Sequence, residues 1–433
     1  MANFYAGFGR QEITPRVGGR MVGYGNRSHG SEGVHDRLMA RVMVWEANGQ
    51  RVAVCSVEMC YVAEPRIEAI RAAVARRARV PAEAVFVCTT HTHSGPHDAD
   101  ADNWERPLAE LVADAAEQAV ARLQPAHIGA AYGALLNHSI NRRWMHYPVD
   151  PAIGVIRLDD ATGHPLGLFT NYACHAVVLG YDNYLISGDW PGHAARLIEA
   201  ELGGDAICLF SQGGCGDVNP LTDAVRAQMV SGRPIHALGQ VSTYHGAPDD
   251  PTTWNIGDRG GGTFAESEAL GVAFSGEVLR VMHSIRTVDA AQGIWTRHVM
   301  VDAALAPEDP RGPIPEMMLT VERPERREGQ ALPLEVMALG VHGPGIIMVG
   351  EPGEIFTETA VAFKRDLHLM GYTMPLVVGY ANGWQTYLPP ASAFPDGGYE
   401  VNWARFMGFS PQFQERVWVA LQPVAAGGAT HPR

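Results

Sequence analysis

A chain of 433 residues can bury a large core, and 46% hydrophobic with 18% charged residues is an ordinary globular balance that excludes wholesale disorder. Acidic residues outnumber lysine and arginine by 47 to 33, a formal charge of −14 that works against nucleic acid or an anionic membrane as a general partner. No apolar run of about 18 residues occurs, so no membrane-spanning helix is expected.

In chain order, residues 4–30 are rich in glycine and arginine and close on Gly-Tyr-Gly-Asn-Arg-Ser-His-Gly, which reads as an irregular loop. Leu38 to Trp45 and Val52 to Val57 read as strands around an Ala47-Asn48-Gly49-Gln50 turn. Pro65 opens a helix with Ile67, Ile70 and Val74 at helical spacing, and Arg76, Arg77 and Arg79 crowd its C-terminal end, where the dipole favours cations. The apolar run Val85-Phe86-Val87-Cys88 then leads into Thr89-Thr90-His91-Thr92-His93-Ser94-Gly95-Pro96, a buried strand delivering two histidines to a loop. A helix follows Pro107. Leu166 to Tyr172 runs into Ala173-Cys174-His175, and Ile207 to Phe210 into Gly214-Cys215-Gly216-Asp217.

Residues 221–264 and 306–333 lose periodicity and read as long loops, with a helix from Glu266 to Ile285 and a strand from Trp295 to Leu305 between them. Ile346 to Val349 leads to Gly350-Glu351-Pro352-Gly353-Glu354, and Leu376 to Tyr380 leads to Trp384 and Tyr387. The expectation is an α/β fold of mixed β-sheets flanked by helices. It forms one large domain over 1–420 with its site at strand ends, and 421–433 is a disordered tail.

Five apolar strands thus end in polar tips: His91 with His93, His175, Asp217, Glu354 and Tyr387. Neighbouring strand ends on one edge of a sheet are where α/β proteins place their sites. Imidazole, carboxylate and phenol groups together match the ligand chemistry of catalytic zinc. Each residue alone also has a structural reading: His175 as a core histidine, Glu354 in the first turn of its helix, Tyr387 as packing. His91-x-His93 with His97-Asp98 resembles the HxHxDH of metallo-β-lactamase-type hydrolases only superficially, because the Asp-His order is reversed. The HxH of TIM-barrel amidohydrolases fits the tip, yet Lys364 is the sole lysine and has no bridging position. Cys215 between glycines stays open as a nucleophile.

The residues resemble the neutral/alkaline non-lysosomal ceramidases, zinc amidases that cleave the N-acyl bond of ceramide. His91-Thr92-His93-Ser94-Gly95-Pro96 matches that family's signature. Gly33-Val34-His35-Asp36-Arg37-Leu38-Met39-Ala40-Arg41, Asn141-Arg142, Asn171 to His175 with Ser187-Gly188-Asp189, Gln212 to Pro220, Gly353-Glu354 and Asn382 to Tyr387 are similar to further elements in the same order. The resemblance implies zinc held by His91, His175, Glu354 and Tyr387. It places His93 in proton transfer, with Arg142 and Tyr399 toward the scissile carbonyl and its oxyanion. Where the family has serine in Gly-Asp-Val-Ser-Pro this chain has Asn219, so a serine nucleophile does not run through that position and metal-activated water is expected instead.

The expected function is therefore a zinc-dependent amidohydrolase acting on a small or amphiphilic amide. An ester or lactone hydrolase on the same site, and a non-catalytic metal-binding scaffold, are the alternatives, and a homo-oligomer is left open. Six cysteines without CxxC spacing, and an N-terminus with no basic, apolar leader, lead to a cytoplasmic expectation. The family's C-terminal β-sandwich is not expected to follow.

Overall fold

The computed structural model describes residues 4–25, 27–100, 103–143, 147–223, 225–226, 262–290, 293–304 and 331–428. The first strands are β1 (Phe4–Glu12), β2 (Gly33–Val34), β3 (Met39–Ala47), β4 (Gln50–Val57), β5 (Val85–Thr89) and β6 (Gln124–Ala134). Then come β7 (Ser139–Asn141), β8 (Ala152–Asp160), β9 (Pro165–Tyr172), β10 (Leu185–Ile186), β11 (Ile207–Gln212) and β12 (Val218–Pro220). The last third adds β13 (Ile294–Asp302), β14 (Pro333–Val341), β15 (Ile346–Gly350), β16 (Glu354–Ile355), β17 (Met374–Val378) and β18 (Tyr387–Leu388).

One sheet has eight strands in the order β11-β9-β8-β6-β1-β3-β4-β5, and a second has four in the order β13-β14-β15-β17. Strand periodicity sorts their side chains into layers. Met43 and Trp45 of β3 share a core with Met337, Leu339 and Met348 of the second sheet, so the sheets pack face to face. Val42 and Val44, pointing the other way, pack under the helices Arg66–Ala78 and Leu108–Ala121. Farther along the same sheet Leu168 and Phe210 meet the helices Asp189–Leu202 and Phe264–Met282. On the far side of the second sheet, Val336, Ile347 and Val349 meet the helices Thr357–Leu369, Tyr399–Met407 and Phe413–Gly428. The expected mixed sheets flanked by helices are present, as a helix-sheet-sheet-helix stack.

Three readings are corrected. Residues 4–12, taken as irregular, form β1 in the middle of the large sheet, with Phe4, Ala6 and Phe8 buried. Its glycines serve packing: a Cβ at Gly7 would overlap the carbonyl of Ala119, and one at Gly9 that of Ala115, so the helix lies directly on the strand. β14 was not foreseen, although its alternate residues face two cores. The 421–433 tail is helical as far as Gly428: Leu421 and Ala425 are buried, and the Tyr372 hydroxyl donates to the Ala425 carbonyl at 2.8 Å. The alanines and glycines that suggested disorder are small enough for that close packing. Residues 429–433, and most of the loops expected at 221–264 and 306–333, lie outside the described residues.

Candidate metal centre

The parallel pairs β4–β5, β9–β11 and β15–β17 all deliver their C-terminal ends to one place. The two sheets are stitched together there. Asn382 N donates to Val87 O at 2.7 Å and Gly379 N to Gln212 O at 3.0 Å, joining the end of β17 to both β5 and β11. The Gln212 side chain donates to Thr90 O at 3.1 Å.

Just beyond β5 the chain turns sharply, and His91 sits at φ 64°, the left-handed region that costs a side-chain-bearing residue energy. The turn aims its ring inward. His91 Nδ1 donates to the Cys60 carbonyl at 2.7 Å, and His175 Nδ1 to the Cys215 carbonyl at 2.6 Å. In both rings the proton therefore sits on Nδ1 and the Nε2 lone pair is free to face a third group. That group is Glu354, with Oε2 3.1 Å from His175 Nε2 and 3.7 Å from His91 Nε2. Burial pushes His91 down to about 3 and His175 well below its ordinary value, so both are neutral donors. His91, His175 and Glu354 bring three ligand atoms within 4.8 Å of one another in a buried setting. Two lone pairs and a carboxylate converging in a buried site suit a divalent cation.

Glu354 is oriented by aromatic donors. Tyr380 Oη donates to Oε2 at 3.2 Å and Trp384 Nε1 to Oε1 at 3.3 Å. Tyr380, itself at φ 54°, stacks on His91 with ring centroids 3.9 Å apart. Sequence reasoning missed both: Tyr380 was absorbed into the strand before it, and Trp384 carried no polar signal.

His93 Nε2 lies 3.0 Å from His91 Nε2, the two rings edge to face. Arg142 Nη1 lies 3.3 Å from His175 Nε2, and its guanidinium sits over the Tyr387 ring at 5.4 Å. Burial pulls the Arg142 pKa down, but Tyr387, Glu400 and Glu354 together outweigh it and hold the guanidinium charged. Tyr387 pairs in register with Glu354 across β16 and β18, which puts the phenol beside the carboxylate. Tyr399 stands one layer further out, its ring edge-on to Tyr387 at 5.4 Å. Among the foreseen residues His91, His93, His175, Glu354, Arg142 and Tyr387 are thus brought together, and Tyr399 reaches them through Tyr387.

Other foreseen groups have different employment. Asp217 accepts from Asn141 Nδ2 at 2.6 Å and from Thr357 N at 2.9 Å, fixing the start of the Thr357–Leu369 helix. Asp98 accepts from Ala63 N and Arg66 Nε, both at 2.9 Å, so no HxHxDH cluster forms. The Cys215 thiol meets Tyr380 Oη at 3.3 Å, and burial pushes its pKa up. A third missed residue is Glu400, fully buried, which accepts from Arg142 Nε at 2.8 Å and from Arg143 Nη1 at 2.9 Å.

The family described as "Neutral/alkaline non-lysosomal ceramidase, N-terminal" matches residues 4–242. Neutral ceramidase A of Dictyostelium discoideum is 26% identical over 307 residues, 62% of this chain and 42% of that protein. Neutral ceramidase 1 of Arabidopsis thaliana is 29% identical over 227 residues, 46% of this chain and 29% of that protein. The chain thus spans less than half the length of these relatives. In fold it is similar to the crystal structure of neutral ceramidase from Pseudomonas aeruginosa, with a TM-score of 0.74 at 18% identity, covering 100% of this chain and 77% of that one.

Proposed function

The chain belongs to the neutral/alkaline non-lysosomal ceramidase family, and on that footing we propose that it is a zinc-dependent hydrolase of an N-acyl amide bond. The observation that carries the reading is the convergence of His91 Nε2, His175 Nε2 and the Glu354 carboxylate, with both rings locked by backbone carbonyls. His91, His175 and Glu354 would hold the ion, with the Tyr387 phenol as the fourth ligand. When bound, zinc supplies Lewis acidity toward an acyl carbonyl and toward water.

The remaining work falls to side chains. Hydrolysis joins a water oxygen to the acyl carbon, breaks the C–N bond and requires a proton on the departing nitrogen. His93, the one histidine of the three with no hydrogen bond to Nδ1 among the described residues, is suited to carry that proton. Arg142 Nη2 likewise has no hydrogen-bond partner among the described residues and would be the donor for the negative charge that builds on the carbonyl oxygen. Tyr399 would set the outer wall through Tyr387.

Ceramide is the first substrate to try, because the relatives are named for it, alongside shorter N-acyl amides. Six free, buried cysteines support a reducing, cytoplasmic setting. Among the described residues no helix is long and apolar enough to cross a membrane. The test is metal analysis of purified protein combined with a panel of N-acyl amides, esters and lactones. About one zinc per chain with an amide preferred is expected. Less than half an equivalent of zinc in active protein, or a preference for esters or lactones, would overturn the assignment.

A further inference from the structure

His91 and His175 are each held at Nδ1 by a backbone carbonyl. His93 is not: its Nδ1 is buried and has no partner among the described residues. Apart from the 3.0 Å contact of its Nε2 with His91 Nε2, the ring needs a restraint of its own, since a side chain free to rotate makes a poor proton carrier. The restraint comes from a segment that belongs to neither sheet.

Val22 N donates to Gly95 O at 3.1 Å, laying residues 21–25 alongside the histidine tip. Gly23 lies flat on His93, at φ 101°, and a Cβ there would collide with His93 Cγ and Nδ1. Tyr24 presents its ring edge-on to the imidazole, centroids 5.1 Å apart, and its hydroxyl donates to Leu179 O at 3.0 Å. Arg27 fastens the arrangement. Its Nη1 donates to His93 O at 2.7 Å and Val22 O at 2.9 Å, and its Nη2 donates to Asn183 O at 3.1 Å. The guanidinium also covers the Tyr24 ring at 4.9 Å. Asn183 in turn donates to Ser94 Oγ at 2.9 Å. One side chain thereby ties the Gly23-Tyr24 wall, the His93 backbone and the 180s loop into one unit. With Gly180 O, 3.4 Å from Nη2, the planar guanidinium holds four carbonyls in this way.

We propose that Arg27 is a positioning residue for His93: by clamping the Gly23-Tyr24 wall against the imidazole it holds the ring in line to protonate a departing amine. The inference rests on the amide-hydrolase reading above and adds a selectivity to it. An amide nitrogen leaves only when it receives a proton, whereas 4-nitrophenolate leaves without one. The clamp therefore matters for amides and hardly at all for activated esters.

The experiment uses the zinc-loaded full chain and compares an N-acyl amide with the 4-nitrophenyl ester of the same acyl group. Arg27→Met should lower kcat on the amide roughly thirtyfold, within the range of a general acid's contribution. On the ester it should change kcat less than threefold, with KM within twofold and zinc content unchanged. Arg27→Lys should recover part of the amide rate, because an ammonium reaches fewer of the carbonyls. Gly23→Ala, which pushes on His93 with Arg27 intact, should show the same amide-selective loss and serves where Arg27→Met fails to fold. Equal losses on both substrates in these variants would overturn the clamp, as would a change confined to KM, which would make Arg27 a substrate contact. A wild-type enzyme that cleaves the ester but no amide would instead bring down the function proposed above.

Discussion

The two sheets contribute unlike halves of the centre. The eight-stranded sheet supplies His91 and His175 on loops after β5 and β9, each oriented by a carbonyl of its own chain surroundings. The four-stranded sheet supplies Glu354, oriented by side chains, the Tyr380 hydroxyl and the Trp384 indole. Backbone carbonyls move only if the fold moves, while aromatic side chains turn about their own bonds. The nitrogen half is thus fixed by the fold and the oxygen half by packing. The candidate group of His91, His175 and Glu354 is complete only where the sheets meet.

The largest expected effect comes from breaking each half in turn. His175→Ala should reduce bound zinc below about half an equivalent and turnover by roughly a thousandfold or more. Glu354→Gln keeps the shape but removes the charge, and its single amide oxygen can accept from only one of Tyr380 and Trp384. Zinc affinity should then fall about 10- to 100-fold, a partial loss measurable by chelator competition. Equal losses in the two variants would erase the distinction between a fold-fixed and a packing-fixed half.

Next in size is Glu400→Gln. Glu400 bridges Arg142 and Arg143 from a fully buried position. Removing its charge leaves Arg142 without its fixed counter-ion, and kcat should drop about 10- to 100-fold with zinc retained. Loss of zinc in the same variant would show that Glu400 holds the sheets together rather than aiming Arg142.

How much of this could be read in advance follows the same division. The histidine half was legible because β5 and β9 are apolar runs ending in His-bearing turns, a pattern confined to a few consecutive residues. Glu354 and Tyr387 could be found as strand tips, and their register across β16 and β18 explains why those two side chains meet. Tyr380, Trp384, Glu400 and Arg27 could not. Their roles depend on contacts across 26, 30, 258 and 66 positions, which leave no local pattern. In the fold, Gly7 and Gly9 misled because glycine marks loops and also marks the places where a helix lies close on a strand.

A smaller effect tests the packing-fixed half away from the ligands. Glu351, just after β15, is fully buried, among the described residues accepts only from Gln414 Nε2 at 3.0 Å, and burial pushes it up to about 7. An acid whose folded pKa exceeds its unfolded value near 4.5 favours folding when protonated. That stability is complete below about pH 4.5 and is lost as the pH rises through about 7. Glu351→Gln should therefore leave denaturation midpoints unchanged at pH 4.5 and raise stability above pH 7 by at most about 3 kcal/mol. A gain independent of pH would mean that the carboxyl is not what titrates.

The smallest effects are expected where the two halves touch without sharing a ligand. Asn219 accepts from Arg142 Nη1 at 3.3 Å, and Cys215 Sγ contacts Tyr380 Oη at 3.3 Å. Arg142 keeps Glu400 and the Tyr387 ring when Asn219 is lost, so Asn219→Ser should alter kcat only about twofold. Cys215 has its thiol pushed up by burial first, so near neutral pH it carries a proton and is no nucleophile. Tyr380 still donates to Glu354 without it, and Cys215→Ala should leave both zinc content and amide turnover within about threefold of the parent. If that variant instead kept its zinc and lost turnover altogether, the attacking group would be the thiol rather than water.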